Sequence, residues 1–109
     1  IFRLKEIDSI NSFSSNKNYK SANHLFIINI KGFNKFKKEK LIKYMFKNKI
    51  ILQYHYIPIY KFKVFKDKFM SKNAEIFFKT SVSLPIFYNM SLKSLKKVTD
   101  HLKKYFKIY

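Results

Sequence analysis

The stretch "HLFIINIKGFNKFKKEKLIKYMFKNK", residues 24–49, decides how this chain folds. It opens with an apolar, β-branched run, "HLFIINIK" (24–31), that suits a buried strand and ends at Gly32. Asn34 then stands where a helix N-cap is expected. Leu41, Ile42, Met45 and Phe46 follow at i, i+1, i+4 and i+5, which makes one buried helical stripe. Lys38, Lys40, Lys43 and Lys47 fall mostly around the polar side. Asn48 sits where a helix commonly turns left-handed, a conformation that asparagine accepts in place of glycine. A strand feeding directly into a helix points to a mixed α/β unit.

Downstream, "IILQYHYIP" (50–58) reads as a second strand whose pairing ends at Pro58. Alternation would put Leu52, Tyr54 and Tyr56 on one face and Gln53, His55 and Ile57 on the other. "KFKVFKDKFM" (61–70) reads as a short irregular helix, and Asn73 as the cap of another over "AEIFFKT". "VSLPIF" (82–87) is a short third strand that Pro85 assigns to an edge or a bulge. Ser91 then caps a final helix carrying Leu92, Leu95, Val98, Leu102 and Tyr105/Phe106 at three-and-four spacing. Upstream, the spacing of Leu4, Ile7 and Ile10 predicts one or two turns of amphipathic helix, and residues 9–23 read as loop. Residues 1–23 are thus a lead-in and residues 24–109 the domain. The expected fold is a two-layer α/β unit, a three-stranded sheet with packed helices.

The 109 residues suffice for one small domain, and at 47% hydrophobic content a packed core is expected. The absence of cysteine rules out a disulfide scaffold and a thiolate metal site, and fits a reducing, cytoplasmic location. No apolar run approaches the length of a membrane span, so no membrane partner is expected. The formal charge of +18 invites a nucleic-acid reading, but Arg3 is the only arginine among 24 basic residues. Phosphate and guanine readers favour the arginine fork. Lys, Ile, Asn, Phe and Tyr are all abundant, as an A/T-rich coding sequence would make them in almost any protein. The charge is therefore read as compositional, with no specific nucleic-acid partner.

Little in the chain suits catalysis. His24, His55 and His101 are far apart, and the carboxylates Glu6, Asp8, Glu39, Asp67, Glu75 and Asp100 form no paired motif. They suit caps or partners for lysines. His101 lies off the apolar stripe of the last helix and is expected to be solvated. With one glycine, neither a P-loop nor a dinucleotide fingerprint is available. His55 differs from the other histidines. It falls at a strand end before a proline turn, beside Tyr56 and Tyr60, whose rings and hydroxyls could hold a sugar or a base. A strand-end histidine bonded to a backbone carbonyl would give the same pattern.

Taken in order, "ANHLFIINI", "KLIKYMFKNKIILQYHYIPIY", "NAEIFFKTSVSLPIF" and "SLKSLKKVTDHLKKYF" resemble the C-terminal end of the DegT/DnrJ/EryC1/StrS family, sugar-nucleotide aminotransferases dependent on pyridoxal phosphate. The resemblance covers roughly residues 21–106. "HYIPIY" looks most like the branch that aminates a UDP-linked 4-keto-6-deoxy-N-acetylhexosamine on the pseudaminic acid route. Asn48 stands where the family usually has glycine, and Asn23 where it often has an aromatic. The family's cofactor lysine lies in an "SF-x-x-x-K" stretch, which "SFSSNK" (12–17) copies. Lys17 is nonetheless rejected, because no Gly-rich segment follows it and "NYKSANHLF" comes at once.

The resemblance implies the small C-terminal domain of a fold type I transferase, with the lead-in belonging to a large domain upstream. That large domain would hold the pyridoxal phosphate and its Schiff-base lysine, so these residues alone would not turn over. It implies a sugar-nucleotide substrate, an amino donor, usually glutamate, and a homodimer when full length. His55, Tyr56, Pro58 and Tyr60 would line the substrate cleft, with His24 as a further candidate. A basic RNA- or polyanion-binding module and a non-catalytic relative are the competing readings.

Overall fold

The computed structural model describes residues 4–12, 18, 20–65 and 69–108. Three strands, β1 (Ile10–Ser12), β2 (Phe26–Ile30) and β3 (Ser81–Leu84), form one antiparallel sheet in the order β1-β2-β3. Three helices, α1 (Lys35–Lys47), α2 (Lys72–Thr80) and α3 (Leu92–Ile108), accompany it. The register pairs Ile10 with Ile30, Ile28 with Val82, and Phe26 with Leu84. Partners directly opposite share a face, so one face is apolar. Ile28 and Ile30 are fully buried there, packed with Leu41 and Met45 of α1 and Val98, Leu102 and Tyr105 of α3. The other face carries Ile27 and Asn29 opposite Ser83 and Ser81. Asn29 Nδ2 donates to Thr80 Oγ1 at 2.6 Å and to Ser81 Oγ at 3.1 Å, tying β2 to the junction of α2 and β3.

The strand count matches expectation, but one strand is a different one. The 50–58 segment is not a strand: only Gln53 pairs, with Ser83. The third strand is β1, from a segment read as helix and loop. Leu4, Ile7 and Ile10 do recur every three residues, but through turns: Ile7 N–H donates to Leu4 O at 3.1 Å and Ile10 N–H to Ile7 O at 2.9 Å. Leu4 and Ile7 are buried in the same core. A spacing of three suits successive tight turns as well as a helix.

Gly32 takes φ +75° between β2 and α1, a value that glycine adopts without steric cost. Asn34 caps α1 as expected, its Oδ1 accepting from Lys37 N–H at 2.9 Å. The buried stripe of α1 is rotated from the expected one. Lys38, Leu41 and Met45 face inward, while Phe46 is 66% exposed. At the other end Asn48 keeps a negative φ and donates from Nδ2 to Tyr44 O at 2.8 Å, and Lys49 takes the left-handed turn at φ +61°. An asparagine amide can serve the end of a helix with its side chain, which moves the turn on by one residue.

Ser71, not Asn73, caps α2, its Oγ accepting from Ala74 N–H at 3.3 Å. Of the expected helix over 61–70, Lys61 ends a short 3₁₀ turn (Ile59–Lys61), residues 62–65 and 69–70 are not helical, and residues 66–68 lie outside the described residues. Ser91 caps α3 as expected, with Ser94 N–H donating at 3.1 Å. His101 is half-buried rather than solvated. Its ring meets Tyr44 edge-on at 6.2 Å, and Nδ1 is buried without a hydrogen bond. Packing of α3 on α1 brings Tyr44 over a position that the apolar stripe alone marks as outward.

The carboxylates of Glu6, Glu39 and Glu75 pair with lysines. Lys103 reaches Glu6 at 2.6 Å, Lys35 reaches Glu39 at 4.0 Å, and Lys61 and Lys79 both reach Glu75. None of the three helices is long and apolar enough to cross a membrane. Lys17 lies outside the described residues.

Candidate functional site

The segment after α1 is the one that carries the tyrosines and His55. Ile50 and Leu52 enter the core, which fixes its start. Gln53 and Ser83 then exchange two backbone hydrogen bonds, Gln53 N–H to Ser83 O at 3.1 Å and Ser83 N–H to Gln53 O at 2.7 Å. The ladder stops there, at the open edge of β3. From residue 54 onward, side chains hold the segment.

His55 is half-buried, with Nδ1 2.7 Å from Ser83 Oγ; either atom can donate, according to the ring tautomer. The expected alternative was a backbone carbonyl, but the partner is a side-chain hydroxyl. The ring meets Tyr56 edge to face with 4.7 Å between centroids, and the peptide bond between the two residues is cis. Tyr54 stacks edge-on against Phe78 of α2 at 6.0 Å. Tyr54, His55 and Tyr56 thus border a narrow crevice with Phe77, Phe78 and Ile27.

On its other side His55 opens onto a groove of about 390 Å³. His24, Gln53 and His55 supply its polar groups, and Ile51, Ile86 and Phe87 much of its apolar lining. His24 and Phe87 are exposed, and the turns beside them take left-handed backbones at Asn23 (φ 51°) and Asn89 (φ 60°). A shallow groove with apolar walls and a few hydrogen-bonding groups suits a polar ligand with one apolar face, such as a sugar or a base.

The five residues singled out from the sequence separate into two groups. His24 and His55 share the groove, and Tyr56 lies against His55. Pro58 is buried and starts the 3₁₀ turn, accepting from Lys61 N–H at 2.9 Å. Tyr60 points elsewhere: its hydroxyl lies 3.0 Å from Glu75 Oε1 and 3.2 Å from Ser71 O, against the start of α2. Burial, then the Glu75 carboxylate, raises the Tyr60 hydroxyl above its usual pKa. Hydrogen bonding from Lys61 first, then from Tyr60, holds the Glu75 carboxyl below its usual value despite some desolvation.

Ser83, Gln53 and Phe87 went unnoticed as groove residues. Only the pairing of residue 53 with 83 brings them there, and no local motif marks that pairing. Lys38 was also missed, because a lysine on a helix reads as solvated. It is 2% exposed, and burial, opposed by Glu39 and reinforced by Lys61, lowers its ammonium to a pKa of about 8.

A pyridoxal phosphate site needs a reachable lysine, a carboxylate for the ring nitrogen and a cradle for the phosphate. The groove does not fit that requirement: its lining holds neither a lysine nor a carboxylate. The buried Lys38 ammonium is occupied by the Phe78 carbonyl and two aromatic rings. Glu6, Glu39 and Glu75 are each paired with lysines. No group of three or more metal-ligating side chains occurs among the described residues. What these residues offer is a binding wall in which the Ser83 hydroxyl is hydrogen-bonded to His55.

Comparison with known proteins bears on this wall. The model of the DegT/DnrJ/EryC1/StrS aminotransferase family matches residues 2–103. A Helicobacter pylori UDP-4-amino-4,6-dideoxy-N-acetyl-beta-L-altrosamine transaminase is 30% identical over 95 residues, covering 83% of this chain and 25% of that protein. The transaminase of the same name from Campylobacter jejuni is 35% identical over 109 residues, covering 93% of this chain and 28% of that protein. The chain therefore spans about a quarter of the length of these relatives. In three dimensions it resembles the Helicobacter pylori PseC aminotransferase involved in the biosynthesis of pseudoaminic acid, at TM-score 0.87 and 26% identity, over 99% of this chain and 30% of that one. The aminotransferase TlmJ from Streptoalloteichus hindustanus shares the fold at TM-score 0.85 and 10% identity, over 94% of this chain and 28% of that one.

Proposed function

The chain belongs to the DegT/DnrJ/EryC1/StrS aminotransferase family, and we propose that it forms the small, substrate-facing domain of a pyridoxal-phosphate-dependent sugar-nucleotide transaminase. The proposed substrate is a UDP-linked 4-keto-6-deoxy-N-acetylhexosamine, which accepts an amino group drawn from glutamate. Both similar transaminases are named for a UDP-linked 4-amino-4,6-dideoxy-N-acetyl sugar, which supports the substrate class. The cofactor and its lysine would come from a large domain outside these residues, and the whole enzyme would work as a homodimer. On this reading the 109 residues are inactive alone.

One observation carries the reading: His24, remote in sequence from Gln53 and His55, meets them on a single groove walled by Ile51, Ile86 and Phe87. His55, held by Ser83, would orient a hydroxyl or carbonyl of the sugar nucleotide. Phe87 would cover an apolar face, and Tyr56 would brace the histidine ring. These residues bind and align the substrate, and the electron-sink chemistry belongs to the cofactor.

The test is an NMR titration of the isotope-labelled chain with UDP-N-acetylglucosamine. Shifts should concentrate at His24, Gln53, His55 and Phe87. Shifts spread over the lysines instead, with those four unmoved, would overturn the assignment of the groove.

A further inference from the structure

The most buried charge in the described chain is Lys38, at 2% exposure. An ammonium taken out of water destabilises the fold unless its donors are met. Lys38 meets them in a particular place. Its Nζ donates to the Phe78 carbonyl, in the last turn of α2. The last four carbonyls of a helix lack intrahelical partners and carry the negative end of its dipole. The cation is therefore where both its charge and its hydrogens are wanted. The same Nζ lies 3.9 Å from the Phe78 ring centroid and 4.8 Å from that of Tyr54.

These contacts converge on His55 from two directions. Tyr54 precedes His55 in the chain, beyond the point where the ladder ends at Gln53. The last turn of α2 runs straight into β3, and β3 supplies the Ser83 hydroxyl on His55. Position 54 and the strand that bonds position 55 are thus both referred to one ammonium on α1.

We infer that Lys38 is a positioning residue for the groove: it sets the course of residues 54–56 and, through them, the placement of the His55 ring. The inference rests on the proposed binding role of the groove only for its consequence in ligand affinity; the placement of His55 is a property of the free chain.

The experiment compares Lys38→Met, which keeps length and loses charge and donors, with Leu41→Ala, which weakens the same helix face and keeps the ammonium. Ring resonances of His55 are recorded by NMR without ligand, then affinity for UDP-N-acetylglucosamine is measured. Lys38→Met should move the His55 resonances and weaken binding about fivefold or more. Leu41→Ala should lower the urea midpoint and leave His55 in place. Lys38→Arg, which keeps the cation and its stacking on rings, should restore much of the native His55 signal. Should Lys38→Met not fold, Phe78→Leu removes an aromatic face of the same contact and should move His55 likewise.

Unmoved His55 resonances in Lys38→Met, or in Phe78→Leu in its place, would overturn the inference. An equal movement in Leu41→Ala would do the same. If the native chain does not bind the UDP-sugar, the reading of the groove fails, while the resonance test of Lys38 still decides its own question.

Discussion

Ser83 holds His55 with its side chain while its backbone pairs with Gln53, so one residue of β3 sets both the edge of the sheet and the histidine beside it. Two residues of the same segment are thereby fastened to one point. The hydroxyl also constrains the imidazole, since a partner at Nδ1 fixes the orientation of the ring.

Ser83→Ala should therefore act locally. It removes one part-buried hydrogen bond, worth about 1 kcal/mol, and leaves the Gln53 pairing intact. Ring shifts of His55 should move as the imidazole loses the partner at Nδ1. An unchanged ring spectrum would mean that Ser83 does not govern the histidine.

The binding role of His55 is a separate matter, tested in a full-length transaminase that carries this segment. His55→Ala should lower turnover of the sugar nucleotide with little loss of pyridoxal absorbance, because the residue would align substrate and not cofactor. Kinetics indistinguishable from the parent enzyme would remove His55 from the site.

Leu102 is fully buried between α3 and the sheet. Leu102→Ala should destabilise the domain by ~2–5 kcal/mol, the range for a large-to-small change in a packed core. Urea unfolding measures it, and a negligible change would contradict the packing of α3.

Lys38 makes a prediction about pH. Its folded pKa of about 8 lies below the ordinary 10.5. Between those values the unfolded chain binds more protons at this site than the folded one, so the site's contribution to stability rises with pH across that window. Below it both states are protonated and the slope vanishes. Comparing urea unfolding of the native chain and Lys38→Met from pH 7 to pH 10 isolates this term, since the other lysines are common to both. Parallel pH profiles would show that Lys38 titrates normally.

Mixed with pyridoxal phosphate and reduced with borohydride, the chain should label sparsely over many exposed lysines. Lys38 should be protected by burial, whatever its lowered pKa. A single stoichiometric site on peptide mapping, at Lys17 or Lys38, would place a cofactor lysine within these residues and refute the binding-wall reading.

Much of this was legible locally. The cap at Asn34, the cap at Ser91, the strand before Gly32 and the Val98, Leu102 and Tyr105 part of the last stripe each rest on neighbours a few residues apart, whereas Leu92 and Leu95 of that stripe are exposed. The misread elements depend on partners far away. Residues 50–58 have a strand's composition, but only Gln53 has a partner within reach. Residues 10–12 are too short and polar to announce a strand, and become one because Ile28 to Ile30 present an unpaired edge. Of the site, His55 and its tyrosines were visible as an odd cluster, and Tyr60 proved to serve α2 instead.

By itself the sequence determined the family, through the order and spacing of its motifs, and the places of α1 and α3, through caps and periodicity. Those signals are short-range and survive in one dimension. The tertiary structure alone decided which segment completes the sheet, that His24 and His55 share a groove, and that Lys38 lies inside. Each of these depends on groups tens of residues apart meeting in space. The ammonium is tolerated there because the helix end at Phe78 receives it.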